Sequence, residues 1–237
     1  MAGPVYKRVL VKISGEAIAG GGGEVLSFGV IEGISGVIRR CLDEGVQIGL
    51  VIGGGNIWRG AKDGGGRMDR SRADHMGMLA TAINCLAIAD VLERNGIEVR
   101  VQTAVEMRPF AEPFARLRAI SHLDKGRVVV FGCGTGNPYF TTDTAALLRG
   151  AEIGANIVLL AKNVDGVYDD DPKTNPGARR YDELSPGDFL RDDLKAMDAA
   201  AASFIRDNRI PVLLFALSDP ENIYRAVMGE KIGTMVR

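Results

Sequence analysis

Six short apolar runs punctuate this chain, and longer stretches with helical spacing lie between most of them. The runs cover residues 6–13, 46–52, 97–103, 127–132, 156–161 and 211–216. Several are apolar without alternation, which marks parallel strands covered on both faces. The helical stretches span roughly 26–44, 70–94, 141–153, 195–208 and 219–229. Strand, helix, strand in repetition predicts an α/β protein: a three-layer α/β/α sandwich around a mainly parallel central sheet, with right-handed crossovers. No linker rich in Pro or Ser divides the chain, so residues 1–237 are read as a single domain.

In an open α/β sheet, ligands bind beyond the carboxyl ends of the strands. Composition matters here in one respect: the chain has 31 glycines, clustered at 20–23, 53–55, 64–66 and 132–136. KISG follows the first strand, GGGN the second and GCGTGN the fourth. Glycine allows backbone to approach a ligand closely and allows successive N–H groups to converge on one anion. One such cluster is read as a tight turn as readily as a site. Three at successive strand ends favour a phosphate-bearing ligand. No GK dipeptide exists for a GxxxxGK[ST] loop, and Asn137 stands where GxGxxG needs its last glycine. The nucleotide site is therefore built another way.

Charged residues cluster by the same strand ends. Lys12 interrupts an apolar strand and is either an exposed edge residue or a point charge aimed into the crevice. Arg59 follows GGGN and is suited to bidentate phosphate contacts, or is a lone surface arginine. Thr141 or Thr142 caps a helix with Asp143 in its first turn, and capping alone accounts for all three. Phosphoryl transfer fits this set, because it asks for positioning and positive charge rather than a nucleophilic side chain. The two histidines, His75 and His122, have no catalytic partners in sequence and read as structural or surface groups. The net charge of -1 speaks against a nucleic-acid binder. Cys41, Cys85 and Cys133 lack metal or disulfide spacing, which predicts reduced thiols and no bound metal. With no secretory signal and no apolar run of about 18 residues, the expected setting is cytoplasmic, away from membranes.

KISGEA, VIGGGNIWRG, DHMGMLATAIN, GTGNPYFTTDTAA and VDGVYDDDP together resemble the amino acid kinase superfamily, and within it the bacterial uridylate kinases. The resemblance runs from about residue 6 to the end. It implies ATP-dependent phosphorylation of UMP to UDP, with Mg²⁺ accompanying ATP. Lys12, Ile13, Ser14, Gly15, Gly55 and Arg59 would hold the ATP phosphates. Lys162, Asn163, Tyr168 and Asp171 would hold adenosine. Gly54, Asp74 and the segment Thr135, Gly136, Asn137, Pro138, Tyr139, Phe140, Thr141 and Thr142 would hold UMP. Lys12, Arg59 and Asp198 would be catalytic. A homo-oligomer, a hexamer, and responses to GTP and UTP are also implied. The stripe Met76, Met78, Leu79, Ile83 and Leu86 reads first as helix packing. The loop IAGGGGEVLSFGV departs from the family, where a shorter segment ends in GFGID, and leaves the effector response open. Two alternatives remain. One is a superfamily member acting on a carboxylate or carbamate; the other is a non-catalytic nucleotide or oxyanion binder of the same fold.

Overall fold

The computed structural model describes residues 3–20, 23–172 and 174–237; glycines 21 and 22 of the first cluster lie outside the described residues. The first half contains β1 (Arg8–Ile13), α1 (Gly15–Ala19), α2 (Phe28–Asp43), β2 (Gln47–Ile52), α3 (Gly60–Asp63) and α4 (Arg70–Arg94). It continues through β3 (Val99–Thr103), β4 (Glu112–Pro113), α5 (Arg116–Asp124) and β5 (Val128–Gly132). Then follow α6 (Thr142–Ile153), β6 (Ile157–Lys162), β7 (Val167–Tyr168), β8 (Arg180–Tyr181) and β9 (Glu183–Leu184). The chain closes with α7 (Pro186–Arg191), α8 (Ala199–Asn208), β10 (Val212–Ala216), α9 (Glu221–Val227) and β11 (Thr234–Val236).

All six expected strands form, and with the unforeseen short strands β4, β9 and β11 they build one sheet in the order β4-β3-β5-β2-β1-β6-β10-β11-β9. Its pairings are parallel except where β11 runs antiparallel to β10. Strands β7 and β8 form a separate antiparallel ribbon. Residues alternate between two cores, as a pleated strand requires. Val9, Val11 and Ile13 join the core under α2, α4 and α9, whereas Leu10 joins the core under α5, α6 and α8. Helices thus cover both faces of a mainly parallel sheet, as the sequence predicts.

Strand order places the site. The chain builds β2 and β5 on one side of β1, then crosses through α6 to β6 on its other side. The carboxyl end of β1 is therefore a topological switch point, where neighbouring connections part and leave a crevice. Helix α4 has the length and hydropathy of a membrane span, yet 56% of its most apolar window is buried in the protein. Its Met78 is buried, but Met76, Leu79, Ile83 and Leu86 are open to solvent, so the expected packing stripe is a bare surface in the single chain.

Candidate active site

A cleft of about 400 Å³ opens at this switch point. It is lined by Lys12, Ser14, Gly15, Gly54, Gly55, Arg59, Asp74, Thr135, Asn137, Phe140, Thr141 and Thr142 of the expected set. Ile13 is buried in the core behind it. Gly136, Pro138 and Tyr139 belong to the same loop without lining the cleft, and neither do Lys162, Asn163, Tyr168, Asp171 or Asp198.

The glycines serve close approach rather than turn geometry. None of Gly53, Gly54 and Gly55 adopts left-handed backbone. A Cβ on Gly15 would come within 2.8 Å of the Gly53 carbonyl and the Gly55 nitrogen. One on Gly54 would lie 2.9 Å from Ala80 Cβ and the Gly77 carbonyl. The ends of β1 and β2 and the flank of α4 converge here with no room for side chains. Fully buried Asn84 secures the contact, donating 2.7 Å bonds to the Gly53 carbonyl and to Asn56 Oδ1.

Lys12 is not an edge residue. It lies on a central strand, 6% exposed, on the α6 face by strand parity with Leu10. Parity on the adjacent β6 brings Lys162 to that face too, two residues beyond Leu160. Both ammonium groups meet Asp143 in the first turn of α6: Lys12 Nζ at 3.0 Å, and Lys162 Nζ through the other carboxylate oxygen. Lys162 also donates to the Ala196 carbonyl. Burial pushes the Asp143 carboxyl up, but the charges of Lys12 and Lys162 and their hydrogen bonds outweigh it and hold the pKa at about 2. Lys162 is pushed down, by burial first; the pull of Asp143 opposes this and the neighbouring Lys12 adds to it.

Helix α8 begins at Ala199, later than its alanine-rich pattern suggests, because Asp198 is the N-cap and accepts from the Ala201 nitrogen at 2.8 Å. The same carboxylate accepts from the Thr141 and Thr144 hydroxyls. Thr141 in turn caps α6, accepting from the Asp143 and Thr144 nitrogens. Asp198 therefore fixes the start of the helix that carries Asp143.

Elsewhere on the cleft wall, Asp74 accepts from Arg70 Nε through both oxygens at 2.9–3.0 Å and from the Tyr139 nitrogen at 2.8 Å. The loop from Cys133 to Phe140 is held in an unusual shape: Cys133, Gly134, Gly136 and Tyr139 all have positive φ. Thr81 of α4 anchors its start by accepting from the Cys133 nitrogen at 2.7 Å. Asn163 and Tyr168 stand outside the cleft, bonded to Glu16 and Asp165. Asp171 lies in the exposed acidic turn, where Asp170 accepts from its nitrogen. His122 is not unaccompanied: Glu112 lies 3.3 Å from it, in a cluster away from the cleft.

Sequence reading took Asp143 for a capping residue and passed over Glu16, Arg70 and Thr81. Only Arg70 carried a local signal, its spacing of four residues from Asp74 on one helix. Lys12, Arg59, Asp74 and the polar loop from Thr135 to Thr142 thus share one cleft whose cations and glycine backbone suit a phosphate-bearing ligand.

The chain belongs to the amino acid kinase family, whose sequence model matches residues 7–216. Solved structures narrow the likeness. UMP kinase from Bacillus anthracis is 40% identical with a TM-score of 0.93, covering 98% of this chain and 96% of that one. UMP kinase from Ureaplasma parvum is 35% identical with a TM-score of 0.91, over 100% and 99% of the chains. Uridylate kinase from Archaeoglobus fulgidus is 28% identical with a TM-score of 0.75, over 97% and 99%.

Proposed function

We propose that this protein transfers the γ-phosphoryl group of ATP to UMP, forming ADP and UDP. One observation carries the reading. A buried lysine, fixed by a carboxylate that is itself held ionised, ends the central strand between a polar acceptor loop and a glycine-rich turn. The similarity to UMP kinases over nearly the whole chain supports UMP as acceptor over a carboxylate or carbamate.

In this reading a UMP phosphate oxygen attacks the γ-phosphorus in line with the departing ADP oxygen. Charge spreads over the transferring oxygens, and fixed positive groups stabilise it without reorganising. Lys12 supplies that charge, and Asp143 fixes its ammonium group. Arg59 and the backbone N–H groups of Gly54 and Gly55 hold phosphate oxygens. Asp74 takes the UMP ribose hydroxyls, and residues 135–142 enclose base and phosphate. Asn163, Tyr168 and Asp171 receive adenosine as it extends from the cleft, while Lys162 serves Asp143. Asp198 positions Thr141 and α6.

Mg²⁺ arrives with ATP as part of the substrate. Among the described residues there is no group of three or more His, Cys, Asp or Glu side chains that could hold a metal ion. We further read residues 1–237 as a single domain, acting in the cytoplasm in pyrimidine nucleotide synthesis. The open stripe Met76, Leu79, Ile83 and Leu86 supports a homo-oligomer, read as a hexamer. GTP and UTP are its proposed effectors. Phosphorus NMR of purified protein with MgATP and UMP tests the reaction: UDP and ADP signals should grow together. ATP loss without UDP would refute it.

A further inference from the structure

Glu16 ties together the loops following three adjacent strands. It opens α1 directly after β1. Its Oε1 pairs with the guanidinium of Arg59, which follows β2. Its Oε2 accepts from Asn163 Nδ2 at 3.0 Å, just beyond β6. The contact lies on the wall of the cleft, where Glu16 and Arg59 are both lining residues.

This ion pair differs in kind from the one beneath it. Asp143 and Lys12 are buried, and the carboxylate's second partner, Lys162, is buried with them. Glu16 and Arg59 are each 43% exposed, so water can take either one at small cost. A guanidinium fork matches a phosphate at least as well as a carboxylate, and an incoming polyphosphate brings more charge. Glu16 takes Arg59 Nη2, so a phosphate gripping that side of the guanidinium fork competes with the carboxylate for the donor.

We propose that Glu16 is a positioning residue acting through Arg59. It is the resident counter-anion of that guanidinium, exchanged for nucleotide phosphate on binding and restored when phosphate leaves. The proposal rests on the reading of the cleft as an ATP site. It gives Arg59 a defined orientation without nucleotide and makes ATP binding weaker than the cleft alone would allow.

Glu16→Gln keeps the acceptor for Asn163 and removes the charge. Calorimetric titration with MgATP, without UMP, should show Kd about two- to five-fold lower than wild type, the range of an exposed pair. Titration with UMP alone should show no change. A charge removed near any anion site could act through its field, so the same change is made in an Arg59→Gln background. There the gain should vanish. A gain that persists without Arg59, or an unchanged or weakened Kd in Glu16→Gln itself, would overturn the proposal. Failure of wild type to bind MgATP would instead remove the cleft reading, and the proposal with it.

Discussion

Replacing Asp143 by Asn should unfold the logic of the charge centre in a measurable way. The carboxyl is held at about 2 against its ordinary value of 3.8. Each pH unit of such depression is worth about 1.4 kcal/mol, so ionisation contributes on the order of 2–3 kcal/mol at neutral pH. The substitution also leaves the ammonium groups of Lys12 and Lys162 facing each other in a buried space, which brings the expected loss to about 3–4 kcal/mol. The pH dependence follows from the sign. A depressed carboxyl contributes fully above its unfolded value and loses that contribution as pH falls through the folded one. The gap between wild type and variant should therefore be flat from about pH 5 to 8 and narrow below about pH 4. Lys162, already pushed down and now without its carboxylate, sheds its proton sooner, so the gap should also narrow at alkaline pH. Urea denaturation across this range measures it. A second variant guards against a trivial loss of packing: Lys162→Met added to Asp143→Asn removes the stranded charge and should recover part of the stability. A gap under about 1 kcal/mol at pH 7, or no recovery in the double variant, would refute the reasoning.

The other predictions follow from the cleft and the open helix face. Lys12→Ala should keep the far-ultraviolet circular dichroism of wild type and lose on the order of 100-fold or more in kcat; near-normal turnover would remove Lys12 from the mechanism. Asp74→Asn should raise KM for UMP about tenfold while kcat and KM for ATP change little, as two-substrate steady-state kinetics would show. Ile83→Asp, on the bare stripe of α4, should lower the sedimentation coefficient towards that of a monomer, and an unchanged boundary would free that face of any subunit role.

Much of the fold was legible because several of its strands are nearly continuous apolar runs and the main helices between them are long. What escaped was short or tertiary. Helices α5 and α7, of nine and six residues, are too brief to show a period against their surroundings. Lys12 stood out as a charge in an apolar strand, but its edge or central position depended on strand order, which no local pattern contains. Asp143 was hidden by a sufficient local explanation: TTDT caps a helix well, and the lysines that define its role come from two other strands. The glycines after β2 read as a place where backbone approaches a ligand; that the flank of a helix also leaves them no room did not show, because it arrives from residues 77–81. Asp198 was placed inside a helix because alanine extends helical spacing in both directions, whereas its carboxylate caps the first turn.

The most direct test of the account is ADP release from MgATP by purified protein with UMP, CMP, dTMP, glutamate, aspartate or carbamate as acceptor. The account predicts rapid release with UMP and little with the amino acids or carbamate. Release only with an amino acid or carbamate would keep the Lys12 centre and contradict the acceptor end built on Asp74 and residues 135–142. Tight nucleotide binding without release for any acceptor would contradict catalysis itself.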